Sequence, residues 1–146
     1  MEKHVKIDNK EYKLIYKGAT ARLYRDTFSE DCLTKLQETQ WAIDLSMSEI
    51  QKEASEADEY TQALMLTKAI DNAFIERLLW ASIKVGKKNK KVPSYENFVD
   101  NIENYGDFIN TGTSWLVEIL KSMQPTVEVE EDEEQNKDEE DKKKLN

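Results

Sequence analysis

Apolar and polar residues alternate in two short runs near the start of the chain, on either side of a polar segment. The apolar positions are Val5, Ile7, Tyr12 and Leu14. Alternation with a period of two predicts strands with one apolar face, and the polar segment between them predicts a β-hairpin. We expect a two-residue turn at Asn9 and Lys10, which pairs Ile7 with Tyr12 across the ladder.

The predicted hairpin needs a cover for its apolar face, because a two-stranded ribbon alone is marginal in water. The next apolar residues follow Gly18 at helical spacing, at Leu23, Tyr24 and Phe28. We therefore expect a first helix directly after the hairpin, packed against its apolar face.

Beyond this helix, apolar residues recur every three or four positions, which is the period of an amphipathic helix. Residues 31–55 carry one such stripe, either as one helix or as two, and Ser29 is a plausible N-cap. Residues 60–85 carry a wider stripe and predict a central helix. Gly86 is expected to end this helix at the C′ position.

The last part of the body predicts two shorter helices. Ser94 is a plausible N-cap for a short helix that begins at Tyr95. Residues 105–112 contain two of the four glycines and predict a turn region. A final helix is expected from Thr113 until Pro125 stops it.

Charge divides the chain into a body and an acidic tail. The formal net charge is −9, and residues 126–146 alone hold ten acidic residues against four lysines. Such a segment has too few apolar residues to offset the entropy of ordering it. We expect one domain over residues 1–125 and a disordered tail over 126–146, which acts as a solubiliser or as an acidic arm toward a partner. The fold class is mainly α with a short N-terminal β-hairpin (α+β).

The residue types needed for catalysis are sparse. The chain has no Gly-rich phosphate loop, no G-x-S-x-G elbow and no H-E-x-x-H motif. His4 precedes a strand and is expected to be exposed, while Cys32 is expected to be a small buried apolar residue. These observations predict a protein that is not an enzyme and that carries no cofactor or metal.

Three tryptophans and one lysine cluster have both a structural and a binding interpretation. Trp41, Trp80 and Trp115 are core residues by default, with a partner surface as the alternative for each. Lysines between residues 84 and 91 form a solvated loop, or contact the tail or a nucleic acid. Few arginines and no interleaved aromatic residue make nucleic-acid binding the weaker interpretation.

The chain has no feature that predicts a membrane location. It contains no apolar run of roughly 20 residues, and its first residues lack the apolar stretch of a signal peptide. We expect a cytoplasmic protein with no membrane partner.

Four segments of the sequence resemble the bacteriophage tail assembly chaperones of long-tailed phages and prophages of low-GC bacteria. They are Ile7-Asp8-Asn9-Lys10-Glu11-Tyr12, Ala21-Arg22-Leu23-Tyr24-Arg25, Leu79-Trp80-Ala81 and Pro93-Ser94-Tyr95-Glu96-Asn97-Phe98. The resemblance extends from Val5 to about Met123. The acidic tail is not part of the pattern, and Asn9 stands where a glycine is common.

The resemblance implies a non-catalytic role in building the phage tail. Members of this family bind the tape measure protein, keep it soluble and help tail tube subunits polymerise around it. The implied partners are therefore the tape measure protein and the tail tube protein, with self-association left open. The protein would act in the cytoplasm of the bacterial host and be absent from the mature virion.

A client helix would need an apolar groove between helices. We expect this groove on the short, late helices, which should be less committed to the core. The expected partner-binding residues are Tyr95, Phe98, Ile102, Trp115 and Ile119.

Two other roles fit the same sequence. A small acidic protein can occupy a nucleic-acid-binding partner when its tail mimics phosphate charge. A helical structural subunit of the phage particle is the second alternative. Salt dependence distinguishes the first role, and presence in purified virions distinguishes the second.

Overall fold

A computed structural model describes residues 1–52, 68–88 and 91–124 of the chain. Within these residues it is mainly helical with an N-terminal antiparallel hairpin, as the sequence predicts. The elements are β1 (Glu2–Ile7), β2 (Lys10–Ile15), α1 (Gly18–Phe28), α2 (Cys32–Lys52), α3 (Asn72–Gly86), α4 (Tyr95–Asp100) and α5 (Tyr105–Ser122). The predicted tail of residues 126–146 and its boundary after residue 125 lie outside the described residues.

The hairpin turn lies one residue earlier than expected, at Asp8 and Asn9. Both residues have positive φ angles, 51° and 65°, and a two-residue turn of this hand requires that conformation at both positions. Asp and Asn tolerate it better than Lys does, which explains why Lys10 begins β2 instead. Tyr12 consequently pairs with Val5 and not with Ile7. The shift changes the pairing by two residues, so the apolar face is preserved.

The hairpin is covered mainly by α3 and α5, and the expectation that α1 covers it is wrong. Strand β2 packs against α3, strand β1 packs against α5, and α1 packs against α3 and α2. Gly86 lies so close to β2 that a Cβ atom there would overlap the backbone carbonyl oxygen of Lys13. This glycine therefore permits close packing of α3 on the hairpin.

Helix α2 is continuous from Cys32 to Lys52, so this part of the stripe predicted over residues 31–55 forms one helix and not two. Its N-terminus is capped by Asp31, whose carboxylate accepts a hydrogen bond from the Thr34 backbone N–H at 3.2 Å. The expected N-cap, Ser29, instead ends α1 in a left-handed conformation.

The central helix α3 is shorter than its apolar stripe predicts. It begins at Asn72, because the Asp71 side chain accepts a hydrogen bond from the Ala73 backbone N–H at 3.0 Å and so caps it. The predicted stretch at residues 60–67 lies outside the described residues. The helix includes Gly86 as its last residue, and Lys87 is the C-cap with φ −88°, so Gly86 is not a left-handed C′ residue.

Helix α5 begins at Tyr105, so the turn predicted for residues 105–112 is wrong. Asn104 caps it by accepting a hydrogen bond from the Asp107 backbone N–H at 3.1 Å. Gly112 is buried where α5 crosses α3, and a Cβ atom there would overlap Ile75. The prediction for α4 is confirmed, since Ser94 accepts from the Asn97 backbone N–H.

Candidate partner-binding surface

The five residues expected to bind a client belong to the protein core or pack against it. Trp115 and Ile119 have no exposed surface, and Phe98 is 7% exposed. The Trp115 indole donates a hydrogen bond to the Ser82 hydroxyl at 2.9 Å within the protein. The expectation that these late helices are less committed to the core is therefore wrong, because α5 packs its apolar side on α3.

Phe98 and Ile102 do line a small cavity of about 210 Å³ beside the hairpin. Tyr12 shares this cavity, and its ring meets Phe98 edge-on with the ring centres 6.0 Å apart. Trp115 and Ile119 do not line it, so the structure does not unite the five residues in one groove. The assignment of client contacts to them stays a prediction, with Tyr95 and Ile102 the most accessible members.

The Tyr95 hydroxyl is already engaged within the protein. It donates a hydrogen bond to one carboxylate oxygen of Glu76 at 2.7 Å, and the Tyr105 hydroxyl donates to the other. Burial, followed by the hydrogen bond to Glu76, raises the pKa of Tyr95 to about 12. This pair of bonds ties α4 and α5 to α3, and the Tyr95 ring also packs edge-on against Phe28 and Trp80 within the protein.

A more accessible apolar surface lies on α2. Trp41 is 68% exposed and Leu45 is 48% exposed, one turn apart on the same face. The default interpretation of Trp41 as a core residue is wrong, whereas Trp80 and Trp115 are buried as expected. The sequence contains a signal for this outcome, because Trp41 lies about 140° around the helix from the buried Leu36.

Helix α2 packs against α1. Two separate grooves, each lined by residues of both α2 and α5, lie along α2. We call the first the Trp41 groove; its volume is about 340 Å³, and it is lined by Leu36, Gln37, Gln40, Trp41, Asp44, Leu120, Met123 and Gln124. The second groove, of about 380 Å³, has a mostly apolar lining that includes Ile43, Met47, Ile75, Ile109 and Val117. Both have the dimensions and lining that suit one or two apolar side chains of a partner.

The Trp41 groove has an apolar floor and a polar rim. Leu36 and Leu120 form the floor and are 0% and 6% exposed, while Met123 stands at the edge at 36%. On the rim, the Gln40 amide donates a hydrogen bond to the Asp44 carboxylate at 2.9 Å. A buried apolar centre with a polar edge is the usual anatomy of a protein interface.

Helix α2 presents only acidic charge around Trp41. Between residues 37 and 49, its charged residues are Glu38, Asp44 and Glu49, and all three are exposed. Helical geometry places them within about 60° to 80° of Trp41. The exposed apolar surface is therefore flanked by negative charge.

The described residues offer little for catalysis. Cys32 is fully buried, and desolvation raises its thiol pKa to about 12, so the thiolate is scarce near neutral pH. His4 is exposed on β1. Among residues 1–52, 68–88 and 91–124, no group of three or more His, Cys, Asp or Glu side chains is placed to hold a metal ion.

Comparison of the chain with protein-family models, with curated proteins and with solved structures finds no match. Any function must therefore be argued from the chain's own residues. In the part of the chain that the structure describes, no helix has the length and apolar character needed to cross a bilayer.

Proposed function

We propose that this protein is a non-catalytic phage tail assembly chaperone. It binds the tape measure protein, keeps it soluble and helps to recruit tail tube subunits. It acts in the cytoplasm of the bacterial host and leaves before the virion is complete.

The observation that carries the proposal is the exposure of Trp41 beside an open groove. A tryptophan that is 68% exposed next to a groove with an apolar floor offers a ready anchor for an apolar side chain. Exposed apolar surface rimmed by polar groups is typical of protein contact sites. A chaperone for an aggregation-prone helix needs such a surface and needs no reactive group.

The segments that resemble the chaperone family support the proposal in a second way, since residues 93–98 contact two of the other segments. The Trp80 indole donates a hydrogen bond to the Pro93 carbonyl oxygen at 3.0 Å, and its ring centre lies 6.3 Å from that of Tyr95. Phe98 of the same segment meets Tyr12 of the hairpin. These residues build the joint between β2, α3 and α4, so the resemblance rests on residues that determine the architecture.

The size of the surface suits a temporary complex. The two grooves, of about 340 and 380 Å³, each suit one or two side chains, whereas an obligate interface buries more than about 2,000 Å². A chaperone must be displaced as the tube grows, so an association of modest strength fits the role.

The test is co-expression with the tape measure protein encoded at the same locus. We expect the soluble fraction of that protein to rise several-fold when this chain is present, compared with expression alone. An unchanged soluble fraction, together with no complex on size exclusion, would contradict the proposal. Detection of this chain in purified virions would favour a structural subunit instead.

A pair of variants then locates the contact. Trp41→Ala and Ile102→Ala each remove an apolar side chain with solvent access, one from α2 and one from the surface expected from the sequence. We expect only Trp41→Ala to reduce the soluble fraction. Substitution of Trp115 is unsuitable, because loss of a buried tryptophan costs about 3–5 kcal/mol of stability.

The salt dependence of the binding affinity distinguishes the chaperone role from charge mimicry by the acidic tail. A complex held by the acidic tail should weaken steeply as salt rises from low to moderate concentration, because exposed charges are screened. A complex anchored by apolar contacts at Trp41 should weaken less steeply and should keep the apolar part of its affinity at moderate salt.

A further inference from the structure

The Trp41 surface has no partner among the described residues. We define this surface as Trp41, Leu45 and the Trp41 groove. Trp41 makes no aromatic or cation–π contact within the described ranges, in contrast to Trp80, which stacks with Phe28 and Tyr95. Its indole face is therefore open to an incoming group.

The acidic charge around this surface determines which charge a binding partner should carry. Around the helix circumference, Glu38 and Glu49 lie on one side of Trp41, and Asp44 lies on the other. The indole ring is the strongest of the side-chain rings for binding a cation on its face. Carboxylates on both sides of an open indole favour Lys or Arg beside the apolar contact.

Neither the acidic tail nor the lysines near the end of α3 match this chemistry. The tail of residues 126–146 carries a net charge of −6, from ten acidic residues and four lysines, and would be repelled by the acidic flanks. The lysines of a second copy near the end of α3 are partly engaged, since Lys84 lies over Trp80 at 5.0 Å and Lys87 lies over Tyr12 at 4.8 Å. A separate partner fits better than either.

We infer that the Trp41 surface docks a basic amphipathic helix of a partner protein, with apolar residues in the groove and Lys or Arg against Glu38, Asp44 and Glu49. This inference takes from the proposed function only that the partner is helical. It adds the surface that is used and the charge that the partner must carry.

The test uses two synthetic helical peptides of about 18 residues, long enough for five turns. Both carry the same leucine stripe, flanked by lysine in one peptide and by glutamate in the other. Fluorescence anisotropy with the full-length protein measures both affinities. We expect the lysine peptide to bind at least about tenfold more tightly, and equal binding of the two peptides would overturn the inference.

Two variants show whether binding occurs at Trp41 or at the acidic tail. Trp41→Ala should weaken binding of the lysine peptide about tenfold or more, as expected for an interface anchor. Met47→Ala is the matched control, because Met47 is 43% exposed on α2 but lies about 120° from Trp41 and lines the second groove instead. It should change the affinity less than twofold, and an unchanged affinity for Trp41→Ala would place the peptide elsewhere and overturn the inference.

A charge exchange tests the flanks directly. The double variant Glu38→Lys/Asp44→Lys should reverse the preference, so that the glutamate peptide binds more tightly. Circular dichroism and the urea midpoint should match the wild type, since both positions are exposed. Retention of the lysine preference in this folded variant would contradict the inference.

Three further outcomes distinguish failure of the docking surface from failure of the proposed function. A change in sedimentation of the protein alone upon Trp41→Ala would make the surface an interface between copies, against the inference. If the tape measure protein is kept soluble equally well by Trp41→Ala, the proposed function stands and this surface is wrong. If the lysine peptide binds at Trp41 but no tape measure protein is protected, the surface stands and the proposed function fails.

Discussion

Gly112 of α5 lies directly against Ile75 of α3, so that a methyl group at residue 112 would overlap the Cγ2 methyl of Ile75. Ile75 is 1% exposed and β-branched, which leaves it little freedom to move aside. The close approach of α3 and α5 therefore depends on the absence of a side chain at this position.

Gly112→Ala should lower the free energy of unfolding by about 1–2 kcal/mol. Overpacking a core costs about 1–3 kcal/mol, while replacing glycine by alanine in a helix returns up to about 1 kcal/mol. Urea unfolding measures the difference. Gly106→Ala in the same helix is the control, because its Cβ would meet only Asn104 Oδ1 at 3.9 Å. It should be neutral or slightly stabilising, and an equal loss in both variants would contradict the packing explanation.

Gly86→Ala should be more damaging than Gly112→Ala, with a loss of about 3 kcal/mol. Here the new methyl would overlap the backbone carbonyl of Lys13, which cannot rotate away as a side chain can. Hydrogen exchange should show faster exchange of the hairpin amides, because α3 can no longer pack closely on β2. The control is Gly18→Ala, where a Cβ meets nothing within 4 Å.

Asp8→Gly should lower stability by about 1–2 kcal/mol. The Asp8 carboxylate accepts hydrogen bonds from the backbone N–H groups of Glu103 and Asn104, at 2.8 Å and 3.1 Å. Glycine keeps the positive φ angle of the turn but removes these bonds. Asn9→Gly keeps the turn and the bonds, so its thermal unfolding temperature should stay near that of the wild type. A matching fall in both variants would assign the effect to the turn itself.

Burial of Cys32 should make stability decline at alkaline pH. The folded thiol has its pKa raised to about 12 by desolvation, whereas the unfolded thiol has a pKa of about 8.5. The unfolded state therefore loses a proton first, and the free energy of unfolding falls as pH rises above about 9, by up to about 1.4 kcal/mol per pH unit. Urea titrations at pH 8, 9 and 10 measure the slope.

The matched variant for this effect is Cys32→Ala, which should lower the slope around pH 9, where the unfolded thiol is ionising and the unfolded tyrosines, whose pKa is about 10, are still mostly protonated. An unchanged slope would show that another group is responsible. A thiol reagent at pH 8 should also react far more slowly with the folded protein than with the protein in urea.

Local sequence patterns predict an element correctly where the residues of that element alone determine its backbone conformation. The hairpin follows from the alternation of Val5 and Ile7 with polar residues, and the start of α4 follows from Ser94. The turn lies one residue earlier than the alternation predicts, because alternation gives the face of a strand but not its register. At residues 105–112, two glycines indicate a turn by composition, yet Gly112 serves a helix crossing that only the tertiary structure reveals.

The candidate surface was harder to predict because exposure depends on which neighbours each helix acquires. Trp115 and Ile119 carry the same periodicity as a binding stripe, but α3 packs against them and they are fully buried. Trp41 lies off the buried stripe of α2, which indicates exposure, although the size of the residue argues for the core. The accessible grooves arise from the spacing between α2 and α5, and no local pattern encodes that spacing.

The contact between Lys13 and Gly86 also has a consequence for synthesis on the ribosome. The hairpin emerges first, but the helix that covers it ends about 70 residues later. At about 5–20 residues per second, this leaves the apolar face of the hairpin without its cover for roughly 4 to 15 seconds. A two-stranded ribbon is marginal without such packing, so the nascent chain passes through an interval in which its own N-terminal segment is open to unwanted association.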